Sequence, residues 1–405
     1  MTEMRRPLEG VKCVCMTMFQ AGPFCFAMMS DLGAEVIKIE PPGTGERGRT
    51  IMWNRSFPIS HYFETNNRGV KSLTLDIKEK KAQEVLYRLV RDADIFAQNY
   101  RPGAAERNGF GYEDISRINP RIVYLSCSAY GPEGPDSKLP GTDGAAQAAG
   151  GICSVFGLEG TPMLPAAVSV GDQTAAFHNF MATMIGLYHA RMTGEGQKID
   201  TSLLGGQVNL MNQWMVSYLF YNQLPPRERV RFIPGATPSM SGSFADKSGK
   251  YFLMQGIGGP DWKPVMTALG CYDALTKAGL GEISEAVKSK ETIAKTTEIL
   301  DKFFATRDRT EILQILRGGA DVVSAPINNF ADVANDPGVL ANNYITTVDH
   351  PKAGRVRELG FPWRFSKVTA KAGFAPELGQ HNDEILKRLG YSDAEIADMK
   401  EKKVI

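Results

Sequence analysis

A chain of 405 residues in which 46 Lys and Arg face 45 Asp and Glu has a formal net charge of +1, so it offers no basic surface for nucleic-acid phosphates. With 43% hydrophobic and 22% charged residues the composition is globular, which excludes disordered and fibrous classes, and the length predicts two or three folding units. No apolar stretch approaches the ~20 residues of a bilayer span and no export leader begins the chain, which predicts a cytoplasmic protein with neither membrane nor nucleic acid as partner.

From residue 10 to about 130, apolar β-rich runs alternate with helical ones. Strands are predicted at 11–17, 36–40, 73–77, 95–99 and 122–127, and a helix at 78–91 places Ala82, Val85, Leu86, Leu89 and Val90 on one face. This is the pattern of an α/β fold with parallel strands, which binds ligands at the carboxyl ends of its strands. After the second strand, Gly43-Thr44-Gly45-Glu46-Arg47-Gly48 reads literally as G-x-G-x-x-G. Pro41-Pro42 precede it and no helical period follows, so a flexible surface loop is predicted in place of a dinucleotide site.

A second helical run follows Gly171-Asp172, carries Phe177, Phe180, Met181, Met184, Ile185 and Tyr188, and stops near Gly194. It reads as long and mostly buried. Between 225 and 330 come Pro225-Pro226, a Ser/Gly-rich patch at 238–249, a strand at 251–255 and charged amphipathic helices, together a smaller α+β domain. The tail after Leu378-Gly379-Gln380-His381-Asn382 forms two helices expected to pack back on the first domain.

Candidate chemistry is sparse. The six cysteines lie in apolar segments without a C-x-x-C pair, and His61, His178, His189, His350 and His381 form no ligand cluster, so neither a metal nor a histidine catalyst is predicted. Ala167-Val168-Ser169-Val170-Gly171 lacks the first glycine of a nucleophile elbow. Asp172 is the informative residue. At a helix start it reads as an N-cap kept ionised by backbone N–H groups and the helix dipole, and the same setting suits a carboxylate nucleophile.

In this order, Gln20-Ala21-Gly22-Pro23, 32–40 (LGAEVIKIE), Asn99-Tyr100-Arg101-Pro102-Gly103, Ile118-Asn119-Pro120-Arg121, Gly171-Asp172, 193–197 (TGEGQ) and 378–382 (LGQHN) resemble the family III coenzyme A transferases. The resemblance implies a Rossmann-like large α/β domain built from both termini (1–220 plus 331–405), a smaller α+β domain inserted at 221–330, and an interlocked dimer, as homodimer or with a related chain. It implies that Asp172 attacks an acyl-CoA thioester, passing through an aspartyl anhydride and an aspartyl-CoA thioester to a free carboxylic acid, with Gln20 beside it. No further cofactor is implied, and succinyl-CoA is the implied donor.

By the same resemblance Phe19, Ala21, Asn99, Tyr100 and Arg107 line the CoA site, and Gly258 and Gly259 of Gly256-Ile257-Gly258-Gly259 form a lid. Pro41 and Pro140 stand where some relatives carry basic residues. Met16, Met18, Phe19, Phe24 and Phe26 surround the first loop, as core or as the lining for a bulky acyl group. Two rivals share the fold. An α-methylacyl-CoA racemase uses a histidine where this chain has Thr142 of Gly141-Thr142-Asp143, and threonine is no base at neutral pH. A catalytically silent subunit would have no need of both Asp172 and Gln20.

Overall fold

The computed structural model describes residues 5–52, 54, 56–157, 160–225, 227, 231–233, 237–318 and 322–405. The chain divides into two compact units, Met1–Arg227 with Thr346–Ile405, and Glu228–Ile345. Residues 331–345 therefore fall in the smaller unit, not the larger as expected. Two short helices, Phe330–Ala334 and Pro337–Ala341, each capped by its own side chain from Asn329 and Asp336, extend that unit's helical run.

The larger unit is a six-stranded parallel sheet, β1 Lys12–Met16, β2 Glu35–Glu40, β3 Lys71–Thr74, β4 Ile95–Gln98, β5 Val123–Ser128 and β6 Gln197–Ser202, in the order β3-β2-β1-β4-β5-β6. Short runs buried on both faces build its centre: all four residues of β4 and four of the five in β1 are buried. The direction of winding reverses between β1 and β4, which leaves a crevice beyond Met16 and Gln98, paired residues at their carboxyl ends. β6 was not expected. Its sequence, QKIDTS, is half-exposed at the sheet edge and shows no apolar run.

In chain order the helices are α1 Pro23–Asp31, α2 His61–Asn67, α3 Lys80–Arg91, α4 Ala104–Arg107, α5 Tyr112–Ile118, α6 Asp143–Ala149 and α7 Val170–Thr193, then α8 Leu203–Leu210 and α9 Asn212–Tyr221. The stripe predicted for α3 is the one buried. α7 lies so close to the sheet that a Cβ on Gly186 would sit 2.7 Å from Ile199 and 2.8 Å from Val123. It is not mostly buried, however. Phe180 and Met184 pack on the core, while Phe177, Met181, Ile185 and Tyr188 form an exposed apolar stripe.

The tail helices, Asn382–Arg388 and Asp393–Glu401, add Ile385, Leu386, Ile396 and Met399 to the core beside β3 and α3. Edge strand β3 is closed by 378–382. Ser72 N–H donates to His381 Nδ1 at 3.1 Å, Thr74 N–H donates to Asn382 Oδ1 at 2.9 Å, and Gly379 N–H donates to Ser72 Oγ at 3.0 Å.

The smaller unit pairs strands Ser239–Ala245 and Tyr251–Ile257 antiparallel, with Phe232–Ile233 and Val323–Pro326 outside them. The Ser/Gly-rich patch is thus largely strand. Its core gathers Phe244, Phe252, Trp262 and Phe304.

Candidate active site

The loop that leaves β1 enters the crevice with its backbone held by side chains. Lys38 Nζ, buried in β2, donates to the Thr17 carbonyl at 2.7 Å. Asn99, just past β4, accepts the Met18 N–H and donates to the Met18 carbonyl, each at 2.8 Å. The Phe19 N–H donates to Glu46 Oε2 at 3.1 Å. Phe19 has φ +68°, left-handed backbone that costs a bulky residue about 1–3 kcal/mol and persists only where its surroundings hold it.

Next in the chain, Gln20 donates from Nε2 to Gln173 Oε1 at 2.8 Å. Gln173 follows Asp172 on α7, so the loop after β1 reaches the start of the helix that carries Asp172. Ala21 is buried against Cys127, Ala146, Ala175 and Leu203, and its carbonyl accepts from Asn179 at 3.0 Å.

Asp172 is the third residue of α7, behind an N-cap at Ser169, and is not itself the cap. Asp143, which opens α6, accepts at this helix start: its Oδ1 takes the Gly171 N–H at 2.7 Å and the Asp172 N–H at 3.1 Å, and its Oδ2 takes Gln147 at 2.7 Å. A Cβ at position 171 would lie 3.0 Å from Asp143, so the glycine makes room for this approach. Among the described residues no donor reaches the Asp172 carboxylate. Burial, then the charge of Asp143, pushes its pKa up to about 6, opposite in sign to the expected effect of amides and dipole. A carboxylate so placed remains mostly ionised at pH 7.

Tyr62 on α2, which feels the charge of Asp172, was not foreseen. Burial, followed by the charges of Asp172, Glu46 and Asp143, holds its phenol well above the usual range, so it stands protonated among carboxylates. No spacing in the sequence marks it, because α2 reaches the site only through the folded sheet.

The other expected residues divide. Asn99 spends both side-chain atoms on Met18, and Tyr100 sets its ring edge-on to Phe110, centroids 5.4 Å apart, with burial raising its phenol. Arg107, at the end of α4, is exposed and makes no ion pair among the described residues. Gly258 and Gly259 belong to the smaller unit, where Gly258 is the N-cap of α10, Gly259–Leu269. Met16 and Phe26 are core, whereas Phe24 stacks edge-on against Phe177 at 6.2 Å.

The loop expected to be flexible is anchored. Glu46 is 3% exposed and Arg47–Arg49 forms a 3-10 turn. Glu40 Oε1 and Oε2 accept from Arg49 at 2.7 and 2.8 Å, and the Glu46 N–H adds to Oε2 at 3.1 Å. Lys38 lies 3.6 Å from Glu46. Among the described residues no group of three or more His, Cys, Asp or Glu could hold a metal ion, and no helix is long and apolar enough to cross a membrane.

The loop after β1 and the start of α7 meet on a parallel sheet of the kind that binds ligands at its strands' carboxyl ends. The pattern of CoA-transferase family III matches residues 8–382, and the chain belongs to that family. Formyl-CoA:oxalate CoA-transferases of Escherichia coli O157:H7 and Shigella dysenteriae serotype 1 are each 30% identical over 425 residues, covering 99% of this chain and 100% of the relative. A CAIB/BAIF family protein from Brucella suis superposes with TM-score 0.80 at 27% identity, over 95% of this chain and 100% of the other. A hypothetical protein from Mycobacterium tuberculosis does so with TM-score 0.78 at 26% identity, over 95% and 100%. The chain is an enzyme of CoA transfer between acyl-CoA and carboxylate.

Proposed function

We propose that Asp172 is the nucleophile of this transfer. The observation that carries the reading is its carboxylate, buried at the start of α7 with no donor among the described residues, one residue from the Gln173 that Gln20 binds. One Asp172 oxygen attacks the donor thioester carbonyl, and the C–S bond breaks to leave a mixed anhydride and CoA thiolate. The thiolate attacks the aspartyl carbonyl, releasing the donor acid and forming aspartyl-CoA. The acceptor carboxylate then displaces the thiolate to form a second anhydride. Attack of the thiolate on the acceptor's acyl carbon gives the new acyl-CoA and restores the aspartate.

Gln20 donates to the developing oxyanion, with the protonated Tyr62 nearby as a second donor. Phe19, Asn99 and Tyr100 shape the entry for the thioester, and exposed Arg107 meets a CoA phosphate. Neither metal nor redox cofactor takes part. The named relatives act on formyl-CoA and oxalate; for this chain succinyl-CoA is the first donor to try. Asp143, with both oxygens committed to amide groups, is poorly suited to the acid/base work of a racemase.

The exposed stripe Phe177, Met181, Ile185 and Tyr188, with Trp214 and Phe220 on α9, supports an interlocked dimer, since apolar surface of this extent marks an interface. Sedimentation at one chain mass at micromolar concentration would remove that part of the proposal. For the chemistry, incubation with succinyl-CoA alone should leave a CoA-sized, hydroxylamine-sensitive mass on the peptide holding Asp172. A label on another residue, or none with any acyl-CoA that supports turnover, would refute the nucleophile.

A further inference from the structure

The left-handed Phe19 stands directly before Gln20, and the group that holds its N–H is a buried carboxylate from a remote part of the chain. Glu46 Oε2 accepts from two amides, Phe19 at 3.1 Å and Gly48 at 2.8 Å. Its Oε1 has no hydrogen-bond partner, with only the Lys38 ammonium at 3.6 Å. Glu46 itself is fixed through its own N–H on Glu40, which Arg49 and Ser72 hold in turn. Burying a carboxylate with one oxygen unsatisfied costs stability, and an apolar side chain could fill the same space. What an apolar residue could not do is hold the Phe19 amide.

We propose that Glu46 is a positioning residue for the transfer reaction: its Oε2 pins the Phe19 N–H, which fixes the left-handed turn and so sets the direction in which the Gln20 carboxamide points. Gln20 is then held at both ends, at its backbone through Phe19 and at its Nε2 by Gln173. Release of the Phe19 amide lets residue 19 relax toward φ below zero, a rotation of roughly 120° at the residue before Gln20. The carboxamide moves with it. The inference rests on Gln20 and Asp172 acting as proposed above.

Two substitutions separate reach from charge. Glu46→Gln keeps the chain length and a carbonyl acceptor for Phe19 and Gly48, while Lys38 keeps the Thr17 carbonyl and the nearby Glu40 charge. Glu46→Asp keeps the charge but is one methylene too short. With succinyl-CoA and a panel of carboxylic acids, Glu46→Gln should stay within about threefold of the parent kcat, while Glu46→Asp loses about 10²-fold in kcat at little changed acceptor KM, since about 1 Å of misplacement costs that much. Hydrogen exchange reads the same contact without turnover. The Phe19 amide should stay protected in Glu46→Gln and exchange faster in Glu46→Asp.

Equal kcat for the two variants, or loss in Glu46→Gln with retention in Glu46→Asp, overturns the proposal. So does a faster-exchanging Phe19 amide at unchanged kcat. Asp172→Asn measured beside them separates the readings: if it retains transfer, the nucleophile assignment falls, whereas the hydrogen-exchange pattern still decides whether Glu46 holds Phe19. If Glu46→Asp does not fold, a Phe19 amide in Glu46→Gln that exchanges as fast as in urea-unfolded chain overturns the proposal equally.

Discussion

Two clusters of carboxylates stand on either side of the crevice, and they are built to opposite ends. Under the β1 loop, Glu40 accepts four hydrogen bonds, two from Arg49, one from Ser72 and one from the Glu46 amide, and its pKa stays below the usual range although burial alone would raise it. At the start of α7, Asp172 is buried with a like charge beside it and no donor, and its pKa climbs to about 6. The residue type is nearly the same in both places. What decides between a structural and a reactive carboxylate is the number of donors each can reach. Asp143 adds to the contrast by setting a second negative charge beside Asp172, while its own oxygens are served by the Gly171 and Asp172 amides and by Gln147.

The most severe way to test this contrast is to remove the reactive oxygen. Asp172→Asn keeps the size of the side chain, disturbs no described hydrogen bond of the parent carboxylate and removes a buried charge repelled by Asp143, so the protein should fold with a melting point at or above the parent's. Transfer should fall by roughly 10⁶-fold, the scale seen when a nucleophile is removed. Single-turnover assays with radiolabelled donor would read it, and retention of even a tenth of the rate would place the chemistry elsewhere.

On the structural side the expected loss is stability instead of rate. Arg49→Ala leaves Glu40 with no exposed side-chain surface and without its ion-pair partner. Breaking one side of a buried pair costs about 3–5 kcal/mol, and here the lower end is expected because Lys38 and Ser72 remain. The guanidinium also stacks on Phe63 at 3.9 Å and binds the Pro376 carbonyl, and alanine can supply neither interaction. Urea unfolding should show the midpoint fall sharply. A change below about 1 kcal/mol would mean that the pair is worth no more than an exposed one.

A finer measurement concerns the proton on Asp172. Its pKa is raised and the reactive form is the carboxylate, so kcat/KM should rise with pH through about 6 and level off above it. Asp143→Asn keeps a carbonyl for the Gly171 and Asp172 amides and removes the like charge, so the limb should move to lower pH. At pH 7 the rate should change less than about twofold, because a group of pKa about 6 is already about nine-tenths ionised there. A limb that stayed in place would show burial alone to be responsible.

Much of this frame is legible in the sequence, and what is not has physical causes. Strands buried on both faces announce themselves as apolar runs, which is why β1, β2, β4 and β5 fall where expected, whereas the edge strand β6 has Ile199 as its single apolar residue and gives no such signal. Asp172 was found through its motif, but its environment was not. Ser169-Val170-Gly171-Asp172 reads as a helix start served by its own aspartate, and only tertiary structure brings in Asp143, 29 residues earlier. Likewise Glu46 sits in a glycine-rich stretch that looks mobile. The clue was in β2, where Lys38 and Glu40 stand in a strand otherwise fit for full burial, and buried charges need partners.

The smallest expected effect lies at the closed edge of β3, where Ser72 also serves Glu40 through its hydroxyl. Ser72 N–H donates to His381 Nδ1, which can accept only while that nitrogen is unprotonated, and burial holds the imidazole pKa below its usual 6.5. The unfolded chain therefore binds this proton more readily than the folded one. The linked stability is present above about pH 6.5 and is lost as the pH falls through the folded value. The side chain is half-exposed and one neutral hydrogen bond is at stake, so the loss should be about 0.5 kcal/mol. His381→Asn cannot titrate, and Asn382 still binds Thr74 on both its N–H and its hydroxyl. Melting curves between pH 5 and pH 8 should thus show a slightly steeper acid decline in the parent than in His381→Asn. Identical curves would mean that the tail is tied to the sheet by Asn382 and by the packing of Ile385 and Leu386 in the core alone.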